Sequence, residues 1–208
     1  MVLTERTSTV RKIAVQIPIT DEQLDDVAQV GAYVNQRLSY MIRARLDSQI
    51  IAGNGTAPNL EGMNNVTGIT TQAKGSHPTP DAVYKAIRAC RATVFAEPSA
   101  VLVHPNDWQD IRLLTTTDGV YVFGPPSQAG VDTIWGKPVV VDSDITENTA
   151  LVGAFQSHCY VAVRRGVAVQ ISSEHASYFI QGVKAVLAEM RAGLVVRRED
   201  AFTTVTGI

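Results

Sequence analysis

Ala100–Val141 reads AVLVHPNDWQDIRLLTTTDGVYVFGPPSQAGVDTIWGKPVVV. Four consecutive apolar residues, Ala100–Val103, have the length and composition of a buried strand. His104-Pro105-Asn106-Asp107 follows as the start and cap of a short helix, with proline at a position where its missing N–H costs nothing. Asp118-Gly119 then predicts a turn before a strand at Val120–Phe123, and a further strand follows at Lys137–Val141. Strand, helix, turn and strand within one stretch point to a mixed α and β fold.

On the N-terminal side, residues from Thr7 to Ile19 alternate between polar and β-branched or apolar types, the period of an extended strand, which Pro18 is expected to end. Thr20-Asp21-Glu22-Gln23 has the form of a capping box, in which the Thr20 hydroxyl accepts from the Gln23 N–H. A helix is predicted from there. Leu24, Val27, Ala28, Gly31, Val34, Leu38, Met41, Ile42, Leu46 and Ile50 recur at three- and four-residue spacing until Gly53 supplies a stop. About 30 residues make a helix roughly 45 Å long at 1.5 Å per residue, more than a compact domain of this size spans. Such a strut belongs in something elongated. The stripe contains Gly31 and Ser39 and keeps no strict heptad, so packing along a sheet of the same chain is expected rather than a coiled coil.

The stretch after it, GNGTAPNLEGMNNVTGI from Gly53 to Ile69, could be taken for a phosphate cradle. A cradle needs glycines after a strand and a helix beginning at the loop. Here the glycines follow a helix and no new helix begins until Thr79-Pro80-Asp81, so turns and a hinge are the better reading. The helix from Thr79 should bury Val83, Ile87, Cys90 and Val94, and Glu97-Pro98 should close it. Strands read at Ala150–Phe155, Tyr160–Val163 and Val167–Ile171, with Arg164-Arg165-Gly166 as a hairpin tip between the last two. From Val183 to Val196 the even positions Val186, Ala188, Met190, Ala192, Leu194 and Val196 are apolar while Glu189 and Arg191 stand on the other face, the pattern of one long strand. Gly53–Pro80 and Gly124–Thr133 are the turn-rich joints.

At 208 residues with 45% hydrophobic and 18% charged side chains the chain should fold into one or two compact units. Its formal charge of −2 provides no global field to hold a polyanion, which counts against a dedicated DNA-binding role. Cys90 and Cys159 lack the spacing of a metal or redox motif and are expected as free thiols. No apolar run reaches the roughly 20 residues that span a bilayer, and Met1–Lys12 lacks the features of a signal peptide, so a soluble intracellular protein without membrane contact is expected. The sequons at Asn54 and Asn65 are then accidental.

His104 with Asp107, and His158 with Cys159, could be imagined in nucleophilic or metal chemistry. Neither pair has the rest of a site: HExxH, GxSxG and paired CxxC are absent. Glu189, two residues from Arg191, reads as a salt-bridged carboxylate. No cofactor and no metal is called for.

The order of the quoted stretch, a strand followed by HPNDW, the IRLL helix, DGVYVFGPP and IWGKPVV, resembles the major capsid proteins of tailed bacteriophages and prophages (Caudoviricetes) with the Hong Kong 97 fold. The helix through YVNQRLSY (Tyr33–Tyr40), ending in IIAGNGT (Ile50–Thr56), is similar to the family's long spine helix and the loop after it. Phe179–Leu194, with Glu189-Met190-Arg191, is similar to its long C-terminal strand region. The resemblance implies an α+β fold: a peripheral (P) domain of long strands at 1–61 and 158–193, with the spine helix at about 21–52, and a central axial (A) domain of mixed sheet and helices at 62–157 and 194–208. Gly53–Ile69 would be the passage from spine helix into the A domain.

The function it implies is a structural one: a major capsid subunit, not an enzyme, that self-assembles into pentamers and hexamers of an icosahedral head enclosing double-stranded DNA without gripping it. Assembly would take place in the bacterial host cytoplasm, and scaffolding, portal and decoration proteins would be the further partners. Two departures qualify the likeness. Only Thr4–Ile17 can match the returning strand of the extended E-loop, so the family's N-terminal arm and the rest of that loop are unmatched. Some members form a self-catalysed Lys–Asn isopeptide crosslink; Glu189 falls at the position of their catalytic glutamate, but Gly182 replaces the asparagine and the lysine-bearing loop is unmatched. No autocatalytic crosslinking and no catalytic residue is therefore expected. The alternatives are an encapsulin-like protein compartment with the same fold and, from a different class, a small enzyme using His104, Asp107 or Glu189.

Overall fold

A computed structural model describes residues 7–26, 28–123, 132–175 and 177–208, and between 25 and 30 the backbone alone. The chain divides into two compact units: Met1–Glu61 with Val161–Val195, and Gly62–Tyr160 with Val196–Ile208.

In the first unit, strand β1 (Arg11–Thr20) leads into helices α1 (Asp21–Asp26) and α2 (Ala28–Ala52). The Gln23 N–H reaches Thr20 Oγ1 at 3.4 Å, the predicted side-chain cap. Val27, where the expected helix passes from α1 to α2, lies outside the described residues. Strands β7 (Cys159–Ser172) and β8 (Val183–Val196) complete a three-stranded sheet in the order β1-β8-β7. Strands β1 and β8 are antiparallel with Ile13 opposite Met190 and Ile17 opposite Val186. The even positions of β8 are buried as predicted, and Val186, Ala188, Met190 and Ala192 pack with Leu38, Ile42 and Leu46 of α2. Leu38 and Ile42 are wholly buried, and each such side chain contributes about 1.5–3 kcal/mol. This sheet-facing stripe makes α2 a single-sided helix, as the missing heptad required.

Two expectations are overturned in this unit, and a third is met by a different route. Pro18 does not end β1: it lies opposite Ala185 and the strand runs on to Thr20. The strand is at the sheet edge, where a residue without an N–H loses nothing if its nitrogen faces away from the neighbour. Residues 159–172 form one strand and not a hairpin, so Arg164-Arg165-Gly166 is no turn; Gly166 lacks a positive φ. The helix does stop at Gly53, whose N–H bonds Gln49 O at 3.1 Å, but not through a left-handed cap. A Cβ there would lie 2.4 Å from Leu60 O and 2.5 Å from Gln49 O, so glycine is needed to let the returning chain pass. Buried Gln49 holds that return, its Oε1 accepting from the Leu60 N–H at 2.9 Å.

The second unit is built on a six-stranded mixed sheet. Its strands are β2 (Thr70–Ala73), β3 (Ala100–Val103), β4 (Thr133–Ile134), β5 (Lys137–Val141), β6 (Thr149–Gly153) and β9 (Phe202–Thr206), in the order β2-β9-β6-β3-β5-β4. Helices α3 (Thr79–Val94) and α4 (Pro105–Arg112) contribute Val83, Ile87, Trp108 and Ile111 to a core with Val101, Val103 and Val152. The predicted inner face of α3, including Cys90 and Val94, is buried. Fully buried Phe202 fits because residue 153 is glycine: a Cβ at Gly153 would stand 2.1 Å from its ring.

The helix ends at Val94, before Glu97-Pro98, with Phe95 in a left-handed conformation at φ 56°. Ala150–Phe155 is strand only to Gly153, and Phe155–His158 is a short helix, α5. A second short helix, α6 (Tyr178–Gln181), precedes β8. Val120–Phe123 is not a strand: a single bridge joins Thr115 to Tyr121, and Val120 and Val122 are exposed, so their β-branched preference finds no sheet face to pack on. Of the expected joint Gly124–Thr133, Gly124–Val131 lies outside the described residues.

Candidate functional site

The carboxylate singled out in the sequence stands at the centre of the three-stranded sheet. Glu189 projects from the middle strand β8 on the face away from α2, and cations reach it from both neighbours. Arg165 of β7 donates to its Oε1 at 2.6 Å, and Lys12 of β1 pairs with Oε2. The register sets Lys12 opposite Arg191, a like-charge cross-strand pair that costs stability unless a carboxylate lies diagonally between them. Glu189 takes that position. The Lys12 ammonium, foremost, and then the charges of Lys12, Arg165 and Arg191 hold its carboxyl below the usual carboxylate range, against the opposing effect of burial.

The bonded partners are therefore Lys12 and Arg165, and Arg191, two residues along the strand, adds only its charge. Side chains at that spacing lie some 6–7 Å apart on one strand, whereas cross-strand neighbours approach to about 5 Å. Lys12 and Arg165 were not legible, because their placement depends on strand order. A carboxylate clamped between two cations stays ionised and fully occupied, which suits a staple across three strands rather than a proton-transferring base.

Gly182 stands at the end of α6 with φ 62°, and its carbonyl accepts from the Asp21 N–H at 2.9 Å. A left-handed residue here favours glycine, with asparagine the next best tolerated. The other candidates remain separate. His104 caps α4, its Nδ1 accepting from the Asn106 N–H at 3.2 Å. Asp107 is buried, and its Oδ1 accepts from the Asn148 N–H at 3.1 Å, tying α4 to the β5–β6 connection. His158 Nδ1 lies 2.6 Å from Ser157 Oγ, while the Cys159 thiol faces Met63 Sδ at 3.9 Å. Burial pushes both thiols, Cys90 and Cys159, above the ordinary thiol range, and both are free. Among the described residues no group of three or more His, Cys, Asp or Glu is arranged to hold a metal.

A second ion cluster was missed in the sequence. Glu97 accepts from Arg91 Nε at 2.8 Å and Nη2 at 2.6 Å, and Lys137 reaches the same carboxylate. Hydrogen bonds from Arg91 first, and then Lys137, lower its pKa to about 2. The cluster binds the end of α3 to the start of β5.

Among the described residues the two ion clusters engage carboxylates with lysine and arginine alone. Residues 1–207 match the Phage capsid family. The chain belongs to the phage capsid family. It is 31% identical over 199 residues to the major capsid protein of Enterobacteria phage HK97, covering 95% of this chain and 51% of that protein. The chain thus spans about half the length of that relative.

Solved capsid structures share the fold. The capsid of a native GTA particle computed with C5 symmetry aligns with a TM-score of 0.77 at 18% identity, covering 96% of this chain and 73% of that one. The Gordonia phage Cozz structure aligns at 0.75 with 14% identity, over 97% and 71% of the two chains. A virus-like particle from Pyrococcus furiosus aligns at 0.66 with 12% identity, over 94% and 75%. The Hong Kong 97-like α+β fold expected from the sequence is that of this phage capsid family member, and the names its relatives carry are those of structural shell proteins.

Proposed function

We propose that the chain is a major capsid subunit that tiles into pentamers and hexamers of an icosahedral phage or prophage head around double-stranded DNA. The single observation that carries this is the family match over residues 1–207 together with 31% identity to a major capsid protein. In this reading the unit of residues 1–61 and 161–195 serves as the peripheral domain and the unit of 62–160 and 196–208 as the axial domain. Copies of the chain are the principal partners, with scaffolding, portal and decoration proteins beside them, and assembly takes place in the bacterial cytoplasm. With a net charge of −2 the subunit encloses DNA without gripping it. Many weak edge contacts summed over a lattice provide the cohesion.

The role is structural, without self-catalysed crosslinking. Glu189 is occupied by Lys12 and Arg165, and glycine stands at 182. Sedimentation velocity over a concentration series, with electron microscopy of the fast fraction, tests assembly: pentamers, hexamers or shells are expected, and a monomer at every concentration would refute the reading. Denaturing gels of the assembled fraction should show one band; a covalent ladder would overturn the non-catalytic role.

A further inference from the structure

Three described non-glycine residues hold a positive φ: Phe95 at 56°, Trp135 at 51° and Asn148 at 61°. Asparagine tolerates this region, but a bulky aromatic residue there is an outlier, and the end of a helix in this conformation ordinarily carries glycine. Phe95 adds a second cost, because its ring is 91% exposed. The solvated ring brings its own unit no packing in return, and backbone strain of this kind clusters at binding and switch sites. The position is stiff as well: Glu97, two residues on, is clamped by Arg91 and Lys137.

The other strained aromatic belongs to a receptacle. Trp135 donates from Nε1 to Pro80 O at 2.8 Å and packs against Tyr84 with ring centroids 4.9 Å apart. With Pro78, Pro80, Leu114, Val122 and Ile134 it lines an apolar groove of about 430 Å³ at the start of α3. Knob and groove therefore lie at opposite ends of one helix of 16 residues, roughly 24 Å at 1.5 Å per residue. Asp81 stands exposed beside the groove, and Arg88, exposed midway along α3, lies seven residues from both Asp81 and Phe95 and so on the same face of the helix.

We infer that Phe95 of one copy seats in the groove of a second copy of this chain, with Arg88 of the first facing Asp81 of the second. Because knob and socket are different patches, the contact is heterologous, and its repetition generates a ring when the rotation between copies closes. The inference rests on the capsid-subunit reading and names the residues that would join neighbours within one capsomer. The stiffness of Phe95 and Trp135 lowers the ordering cost of each contact.

Native mass spectrometry and sedimentation velocity of the chain and its variants test it. Phe95→Gly should raise the dissociation constant of the ring at least tenfold, while the unassembled variant unfolds at a higher temperature than the unassembled parent because the left-handed position is relieved. Arg88→Glu and Asp81→Lys should each weaken the ring several-fold, and the two together should restore it. A photo-crosslinking phenylalanine analogue at position 95 should capture a peptide of a second copy that contains Leu114, Val122 or Trp135. Rings in the parent that survive Phe95→Gly, failure of the double reversal to rescue, or capture of a different peptide or of another protein would overturn the inference alone. A parent chain that stays monomeric at every concentration would overturn the capsid reading and this contact with it.

Discussion

Strands β7 and β8 have the same length, 14 residues, and lie side by side in one sheet, yet they differ in almost every other respect. Strand β8 is central, with a neighbour on each side and four of its side chains in the core against α2. Strand β7 is an edge, and Tyr160, Val161, Val163 and Ile171 along it are exposed. A central strand must satisfy both its ladders and its buried face at once, so its residues carry a strict alternation. An edge strand satisfies one ladder and tolerates charge and glycine, which also blunt an open edge, as Arg164, Arg165 and Gly166 do here. Ladder bonding is common to both strands, and the density of side-chain constraint separates them.

The largest difference between the two strands is expected when the same charge is placed in each. Ala188→Asp puts an unpaired carboxylate into the core beneath α2 and should cost more than about 4 kcal/mol in urea denaturation, enough to unfold the unit. Val163→Asp on β7 should cost less than about 1 kcal/mol, since that side chain is 53% exposed. Equal losses would mean that the edge strand is as constrained as the central one.

A smaller effect is expected where the two strands are joined by charge. Glu189→Gln removes the carboxylate that Arg165 and Lys12 share and should lower the thermal midpoint at pH 7. The folded carboxyl is held below its unfolded value, so the stability it contributes is complete above the unfolded pKa, ~4.3, and is lost as pH falls through the folded one. The midpoints of parent and variant should accordingly converge in acid. A gap independent of pH would show that Glu189 acts through packing and not through its charge.

The smallest effect has the opposite sign. Gly166 lies mid-strand without a positive φ, and an added Cβ would meet nothing within 4 Å. Gly166→Val should therefore stabilise by about 0.5–1 kcal/mol through a stiffer chain with strand preference. A loss of that size would mean that the residue sits in a turn.

Much of the fold was legible in these terms. The alternation of Val186–Val196, the cap at Thr20, the stripe of Leu38, Ile42 and Leu46, and the inner face of α3 all arise where one element buries one face, so composition at fixed spacing reports it. The quoted stretch also carried the family likeness. Illegible were features decided by a neighbour distant in sequence. Pro18 is tolerated because β1 is an edge. Gly53 is required by the Leu60 carbonyl and not by its own φ, and Val120–Phe123 fails as a strand for want of a partner face. At the candidate site Glu189 was recognised, but its partners Lys12 and Arg165 stand 177 and 24 positions away in sequence, and only the strand order brings them together.

The amino-acid sequence carried the element types of the long periodic segments and the likeness to capsid subunits, because these depend on the local spacing of apolar residues and on motif order. The tertiary structure alone decided which cations hold Glu189, why glycine stands at 53 and 153, and that Phe95 projects unburied at one end of α3 while an apolar groove opens at the other. Each of these is a distance between residues far apart along the chain, and such distances come into being only when the strands have chosen their neighbours.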